Sequence, residues 1–180
     1  MAVAAGIMVP HPPLIVPDVG RGQEILIKDT IKAYQEAAGM AAELKPDTLV
    51  VISPHAVMYA DYFHVSPGKE ARGDFGRFMA PQIGVEAGYD EAFVRELDRL
   101  CGDDDFPMGT EGEREKELDH GTLVPLYFIN QHYRDYKLVR IGGSGLSFAD
   151  HYRAGRYIAR AAENLGRSVF IVASGDLSHK

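Results

Sequence analysis

The chain has 180 residues, of which 46% are hydrophobic and 25% are charged, and its formal net charge is -7 at pH 7. This length suits a single domain with a buried core, and the negative charge argues against a nucleic-acid-binding surface, which requires clustered Lys and Arg. The single cysteine, Cys101, excludes an internal disulfide and fits a reducing compartment. Because neither a signal peptide nor an apolar stretch of about 20 residues is visible, we expect a cytoplasmic protein that binds neither nucleic acid nor membranes.

The first half of the chain alternates predicted strands and helices. Residues 2–9 ("AVAAGIMV") and 47–53 ("DTLVVIS") are apolar runs with β-branched residues, which is typical of strands buried on both faces. Between them, apolar residues recur every three or four positions from Gly22 to Leu44, and this spacing predicts a helix. Two short strands follow, at residues 62–66 and 82–87, and a glycine-rich connection at residues 71–78 joins them.

The second half continues the alternation. An amphipathic helix is predicted at 90–101, and the polar residues 102–118 are predicted to form a surface segment. The apolar run at 122–131 predicts a buried helix with Pro125 in its first turn, where a missing N–H costs little. The remaining elements are a strand at 136–142, a helix at 147–166 and a strand at 168–174. The helix has a capping-box-like start and ends at a glycine.

This alternation predicts one α/β domain over residues 1–180, with a largely parallel central sheet flanked by helices. Ligands of such sheets bind outside the carboxyl ends of the strands. His11, His55 and His179 each follow a predicted strand, so we expect them to meet at one edge of the sheet. Because a central strand lies so near Lys180, we also expect this domain to be truncated at its C-terminal end.

Two matching turns carry a histidine directly after a proline. His11 stands in "VPHPP" and His55 stands in "SPHA". Neutral imidazole is the commonest side-chain ligand of transition metals, and the flanking prolines restrict the backbone. The pair predicts a metal site, and two histidines with one carboxylate and open positions suit non-heme Fe(II). The alternative is that each histidine caps a strand or bonds a main-chain carbonyl within its loop.

Two further motifs place polar residues beside predicted elements. In "LDHGTLVPL" (118–126), His120 follows Asp119, which either orients an imidazole or only shapes a turn. In "ASGDLSH" (173–179), His179 is a candidate general acid or base, and a polar turn is the alternative. A serine hydrolase is disfavoured because the G-x-S-x-G elbow is absent.

Other motifs carry weaker signals. The loop "IGGSG" (141–145) lies between a strand and a helix, as a phosphate-binding loop does, but it lacks the G-x-G-x-x-G spacing and a P-loop lysine. His64, His132 and His151 are interpreted as structural. Cys101 has acidic neighbours, which raise a thiol pKa, so we do not expect a nucleophile there.

Four motifs together resemble those of the class III extradiol ring-cleavage dioxygenases, the LigB-like family. They are "MVPHPP", "SPHAVMYADYF", "LDHGTLVPL" and "ASGDLSH", and they follow the family's order over nearly the whole chain. The resemblance implies an enzyme that cleaves a catechol-type aromatic ring, with a small aromatic diol and O₂ as its substrates. It implies Fe(II) as the cofactor, with zinc or copper as the alternative divalent metal.

The resemblance also implies roles for four histidines. His11 and His55 match the family's two histidine ligands of the iron. His179 matches the acid/base, and His120 matches the histidine that helps to bind substrate and oxygen. The family's third ligand is a glutamate beyond the last motif, and no glutamate of this chain matches it. We therefore expect a carboxylate beyond Lys180 to complete the site.

A related branch, the Memo-like proteins, shares the fold and similar motifs without an established ring-cleavage role. In that branch the histidine that matches His179 can itself bind the metal. The alternative function is therefore a metal-binding or redox regulatory protein, and the resemblance leaves open a homo-oligomer or a fused second domain. Substrate-binding residues stay unassigned, since Tyr59, Tyr62 and Phe63 either line an apolar pocket or belong to the core.

Overall fold

Strands and helices alternate along residues 2–176, which are the residues that the computed structural model describes. The strands are β1 (Val3–Val9), β2 (Thr48–Ser53), β3 (Phe63–His64), β4 (Glu70–Phe75), β5 (Ala80–Gly88), β6 (Met108–Gly109), β7 (Lys137–Gly142) and β8 (Val169–Ser174). The helices are α1 (Pro17–Gly20), α2 (Lys28–Leu44), α3 (Glu91–Asp103), α4 (His120–Ile129) and α5 (Phe148–Leu165). Short 3-10 segments occupy Pro13–Ile15, Gln23–Ile27 and Gly76–Phe78, so the helix predicted from Gly22 begins later, at Lys28.

A parallel sheet forms the centre of the fold. Among the described residues its strand order is β1-β8-β2-β7, and each neighbouring pair runs parallel. β2 is central, because Ile52 pairs with Ala173 of β8 on one side and with Ile141 of β7 on the other. Parallel sheets are covered on both faces, which explains the continuous apolar runs of β2 and β8. The predicted α/β fold with a largely parallel central sheet flanked by helices is confirmed.

Helices cover both faces of this sheet. Side chains alternate along β2, so that Leu49 and Val51 pack in one buried cluster with α2 and α4, while Val50 packs in another with α3 and α5. The predicted ends of α5 are confirmed, because Ser147 caps its start and Gly166 follows its end with a φ of 62°. Within residues 2–176, none of the helices has the length and apolar character needed to cross a membrane.

The prediction of a glycine-rich connection at 71–78 is wrong, because β4 occupies most of this segment. β4 pairs antiparallel with β5 to form a hairpin. Gly73 lies against Leu118, whose carbonyl oxygen would stand only 2.7 Å from a Cβ at this position. The glycine therefore reflects close packing of two backbones. Strand formation here depends on the partner strand, which the local residue types do not reveal.

Two other predicted segments are also corrected. The strand predicted at 62–66 is reduced to Phe63–His64, which pairs parallel with β6. β6 itself lies within residues 102–118, the predicted surface segment, where Phe106 and Met108 are buried. These side chains join the cluster that contains α3 and α5. They show no apolar periodicity, so the sequence pattern carries no signal for their burial.

The helix predicted at 122–131 begins earlier than expected. α4 starts at His120, and Asp119 is its N-terminal cap. Pro125 is therefore the sixth residue of the helix and does not lie in the first turn. A proline there removes the hydrogen bond that its N–H would donate to the carbonyl four positions earlier. That carbonyl belongs to Gly121, which lies at the carboxyl edge of the central sheet.

Candidate metal centre

His11 lies two residues beyond β1 and is almost fully buried, with 2% of its surface exposed. Its main-chain N–H donates to Oδ1 of Asp176 over 3.1 Å, which joins this turn to the residues after β8. The ring Nδ1 lies 2.9 Å from Oγ of Ser174, and Nε2 lies 3.7 Å from Oδ2 of Asp176. The imidazole is thus held in one orientation by the end of β8.

His55 lies two residues beyond β2 and is exposed. Its main-chain N–H donates to Oγ of Ser53 over 3.1 Å. Its ring Nε2 lies 3.1 Å from Nε2 of His11, although the two residues are 44 positions apart in the chain. Parallel strands end at one edge of a sheet, and the structure brings these two sequence-predicted residues together there.

His120 is the first residue of α4 and adds a third imidazole to the pair. Its ring centroid lies 4.0 Å from that of His55 and 5.4 Å from that of His11. One nitrogen of each of the three rings lies within 4.8 Å of the others. Burial lowers the pKa of His120, and the neighbouring rings of His55 and His11 lower it further. His120 is therefore placed both as a third nitrogen donor and as a residue that can contact a ligand.

Asp119 caps α4 and joins the helix to the end of β2. Its Oδ1 accepts from the Ser53 hydroxyl over 2.6 Å and from the Thr122 main-chain N–H over 3.0 Å. Its Oδ2 accepts from the Thr122 hydroxyl over 2.9 Å. These bonds satisfy donors at the start of the helix and hold His120 in place. Asp119 therefore positions His120 through α4 and the His55 turn through Ser53, and its negative charge also partly offsets the lowering of the His120 pKa.

A cavity of about 160 Å³ adjoins His55 and His120. Its apolar lining comes from Phe78, Leu118 and Leu123, and its charged lining comes from Asp74, Arg77, Glu115, Glu117 and Asp119. The ring of Phe78 meets His120 edge to face, with centroids 5.4 Å apart. A small molecule in this cavity would lie directly against two of the three imidazoles.

The other histidines and aromatic residues named from the sequence lie away from this cluster or outside the described residues. His179 lies outside residues 2–176. Tyr59 donates to the carbonyl of Gly112, and Phe63 packs in a buried cluster. His64, His132 and His151 form hydrogen bonds with the Glu111 carbonyl, the Gln35 side chain and the Ser147 carbonyl respectively.

Close packing accounts for two of the three glycines of residues 141–145, Gly142 and Gly145. A Cβ on Gly142 would overlap the Val57 carbonyl, and a Cβ on Gly145 would lie 2.6 Å from the carbonyl oxygen of Ala60. A residue without a side chain is therefore required at these two positions, where the loop contacts the residues that follow His55.

Sequence reasoning missed Ser53 and Phe78 as residues of the site. Phe78 stands in the segment predicted as a connection, where nothing local indicates its contact with His120. Ser53 ends a predicted strand in "VVIS", just before the Pro-His turn, as Ser174 ends "IVAS" before the last motif. A polar residue at the end of an apolar strand, next to a histidine motif, is the signal that could have identified both serines.

The nitrogen donors fit a transition metal. Two imidazole nitrogens bound to one metal at about 2.0–2.1 Å stand about 2.9–3.4 Å apart for octahedral to tetrahedral angles. The Nε2 atoms of His11 and His55 are separated by 3.1 Å, which agrees with this spacing. Imidazole donors suit iron, copper and zinc.

Comparison with known proteins gives a family and two relatives. Residues 5–180 match the family described as the catalytic LigB subunit of aromatic ring-opening dioxygenase. Protein CA_C1420 of Clostridium acetobutylicum is 37% identical over an alignment of 180 positions, which covers 96% of this chain and 38% of that protein. The 3,4-dihydroxyphenylacetate 2,3-dioxygenase of Escherichia coli is 26% identical over 156 positions, which cover 83% of this chain and 56% of that enzyme. The chain thus spans less than two thirds of either relative.

The family match covers almost all of the chain. The turns that carry His11 and His55 and the start of α4 at His120 all fall within it, and the fold brings these three residues to one edge of the sheet. The chain therefore belongs to the LigB family, the catalytic subunits of aromatic ring-opening dioxygenases.

Proposed function

We propose that this chain forms the metal centre of an extradiol dioxygenase that opens a catechol-type aromatic ring with O₂. The observation that carries the proposal is the 3.1 Å approach of the His11 and His55 Nε2 atoms beyond the carboxyl ends of β1 and β2. Membership of the LigB family supports the class of reaction. Fe(II) is the proposed metal, because two histidines with a carboxylate and open positions suit non-heme Fe(II).

His11 and His55 are the proposed protein ligands. When bound, the metal would supply a Lewis acid that favours deprotonation of the diol. The third ligand is proposed to be a carboxylate from beyond Lys180, as the family resemblance implies. His120 is the alternative within residues 2–176, because its ring nitrogen lies within 4.8 Å of the other two donors.

The cavity beside His55 and His120 is the proposed substrate site. Its volume is about 160 Å³, and an apolar cavity of about 150 Å³ can hold benzene, so the space matches a single aromatic ring. Phe78 supplies an apolar wall next to His120. His120 is proposed to hold the substrate by a hydrogen bond. His179 is proposed to accept the second phenolic proton as a general base.

Replacing each proposed ligand tests the metal site. We expect His11→Ala and His55→Ala to lower Fe(II) affinity by more than the roughly 10–100-fold lost with a supporting residue, while the circular dichroism spectrum stays that of the wild type. The control is His132→Ala, which removes an exposed histidine bonded to Gln35 and should leave affinity unchanged. Anaerobic Fe(II) titration of the longest natural form measures this, and unchanged affinity in both variants would refute the two-histidine site.

A metal-binding protein without ring-cleavage activity, as in the Memo-like branch, is the second candidate. The third imidazole favours it, because His11, His55 and His120 together offer a set of donors that needs no carboxylate. A ring-opening assay on a panel of catechols, run on the iron-loaded protein, separates the two candidates. Turnover supports the dioxygenase, whereas stoichiometric iron without turnover on any catechol supports the regulatory protein.

A further inference from the structure

Two buried serines end neighbouring strands beside the two histidine turns. Ser53 is the last residue of β2 and Ser174 is the last residue of β8, each one position beyond the paired residues Ile52 and Ala173. Their exposed fractions are 0% and 6% respectively. Each hydroxyl bonds a histidine on one side and the start of α4 on the other: Ser53 bonds the cap, Asp119, and Ser174 bonds Gly121 in the first turn. The serines therefore join both histidine turns to the helix that carries His120.

The hydroxyl of Ser174 determines which nitrogen of His11 carries the proton. Ser174 donates its only hydrogen to the carbonyl of Gly121, because a carbonyl oxygen can only accept. The same Oγ lies 2.9 Å from Nδ1 of His11 and has only lone pairs left for that contact. Nδ1 must therefore be the N–H donor, and in the neutral ring the lone pair lies on Nε2. That atom faces Nε2 of His55, which is the arrangement that a metal ligand requires.

Pro125 explains why the Gly121 carbonyl is available to Ser174. In an uninterrupted α-helix, the residue at position 125 would donate its N–H to the carbonyl of residue 121, but proline has no N–H. α4 nevertheless continues through Pro125 to Ile129. The carbonyl of Gly121 instead accepts a hydrogen bond from the end of β8. A proline inside a helix, usually unfavourable, thus has a direct consequence at the histidine cluster.

Ser53 plays the corresponding part for His55. Its hydroxyl donates to Oδ1 of Asp119 over 2.6 Å, because the carboxylate can only accept. Its oxygen in turn accepts the main-chain N–H of His55 over 3.1 Å. The bond holds the backbone of the Pro-His turn, whereas Ser174 bonds the ring of His11. Ser53 therefore fixes the position of the His55 backbone, whereas Ser174 fixes the orientation and the tautomer of the His11 ring.

We infer that Ser174 and Ser53 are positioning residues that set the geometry of the two proposed ligands through the start of α4. Ser174 keeps the proton of His11 on Nδ1 and thereby presents the Nε2 lone pair beside His55. Ser53 keeps the His55 turn against Asp119. The inference rests on the proposed metal site for its consequence in metal binding, but the tautomer of His11 is a property of the metal-free protein.

Nitrogen-15 NMR of the metal-free protein tests the tautomer directly. At about pH 8.5, well above the usual histidine pKa of about 6.5, the ring shifts report which nitrogen is protonated. We expect His11 to be protonated on Nδ1 in the wild type and to become a mixture of tautomers in Ser174→Ala. A wild-type His11 protonated on Nε2, or an unchanged tautomer in Ser174→Ala, would overturn the inference whether or not the protein binds a metal.

Titration with Co(II), a spectroscopic substitute for Fe(II), tests the consequence for metal binding. We expect Ser174→Ala and Ser53→Ala to bind Co(II) roughly 10–100-fold more weakly, with an altered visible spectrum. The matched control is Ser66→Ala, since Ser66 is a serine with 1% exposure that follows β3. Wild-type affinity and spectrum in both site variants would contradict the inference. Failure of the wild type to bind Co(II) would instead count against the proposed function. The NMR result does not depend on metal binding and would stand.

Discussion

Gly121 lies so close to Ser53 that its position has no room for a side chain. A Cβ on Gly121 would overlap the Ser53 hydroxyl and would lie 3.0 Å from Oδ1 of Asp119 and 3.3 Å from Cδ2 of His55. We predict that Gly121→Ala lowers the free energy of unfolding by about 1–3 kcal/mol, the usual cost of overpacking. It should also weaken metal binding, because the His55 turn must shift. Urea unfolding and Co(II) titration measure the two effects.

Gly155 provides the matched control, because it is an exposed glycine within α5. A Cβ built there meets nothing within 4 Å. Alanine reduces the backbone entropy lost on folding, so Gly155→Ala should raise stability by about 0.5–1 kcal/mol and leave Co(II) affinity unchanged. Wild-type stability and affinity in Gly121→Ala would show that the close approach to Ser53 has no energetic importance.

The thiol of Cys101 should be unreactive in the folded protein. Burial raises its pKa to about 12, with further contributions from Asp98 and Asp104, and the residue is fully buried. The sequence expectation of a raised thiol pKa is thus confirmed, although burial is the larger cause. At about pH 8 the thiolate fraction is roughly 10³-fold smaller than for a thiol with the usual pKa of about 8.5. A thiol reagent should therefore modify the native protein far more slowly than the urea-unfolded protein, and equal rates would contradict this prediction.

The two N-terminal caps of α3 and α5 should differ in their contribution to stability. Ser147 caps α5 at the surface, and Ser147→Ala should cost about 1 kcal/mol. Asp90 caps α3 by accepting from the Phe93 N–H, and it also accepts from the buried Thr48 hydroxyl over 2.7 Å. Asp90→Ala leaves that hydroxyl without its acceptor, which adds about 1–3 kcal/mol. Urea unfolding of both variants checks the order, and equal losses would contradict it.

Replacement of His179 tests whether this residue is a general base or a metal ligand. As a general base, His179→Gln should leave Fe(II) affinity nearly unchanged and slow ring opening by roughly 10²–10⁴-fold. As a ligand, in the Memo-like alternative, His179→Gln should release the metal as His11→Ala does. Anaerobic titration of the longest natural form with Fe(II) or Co(II) measures this, and loss of metal from the His179 variant would favour the second candidate.

The sequence by itself determined the class of fold and the place where the chemistry is expected. Apolar runs at 47–53 and 168–174 specified strands buried on both faces, which favours parallel strands with helices over them. The run at 2–9 also forms a strand, β1, but the expectation that it is buried on both faces is wrong, because β1 ends the strand order and Val9 is its one buried residue. This topology brings His11 and His55 to one edge of the sheet, because residues after parallel strands share that edge. Local residue types and their order were sufficient for these conclusions.

Only the tertiary structure decided how the histidines are held. Ser174 bonds Gly121 across 53 positions of the chain, Ser53 bonds Asp119 across 66 positions, and both bonds depend on where α4 begins. The sequence pattern placed that start two residues too late, because His120 and Gly121 carry no apolar signal. β4 escaped prediction for a similar reason, since a strand with three charged residues and a glycine forms only when its partner is present. Contacts between distant segments have no local pattern, so they become visible only when the chain is folded.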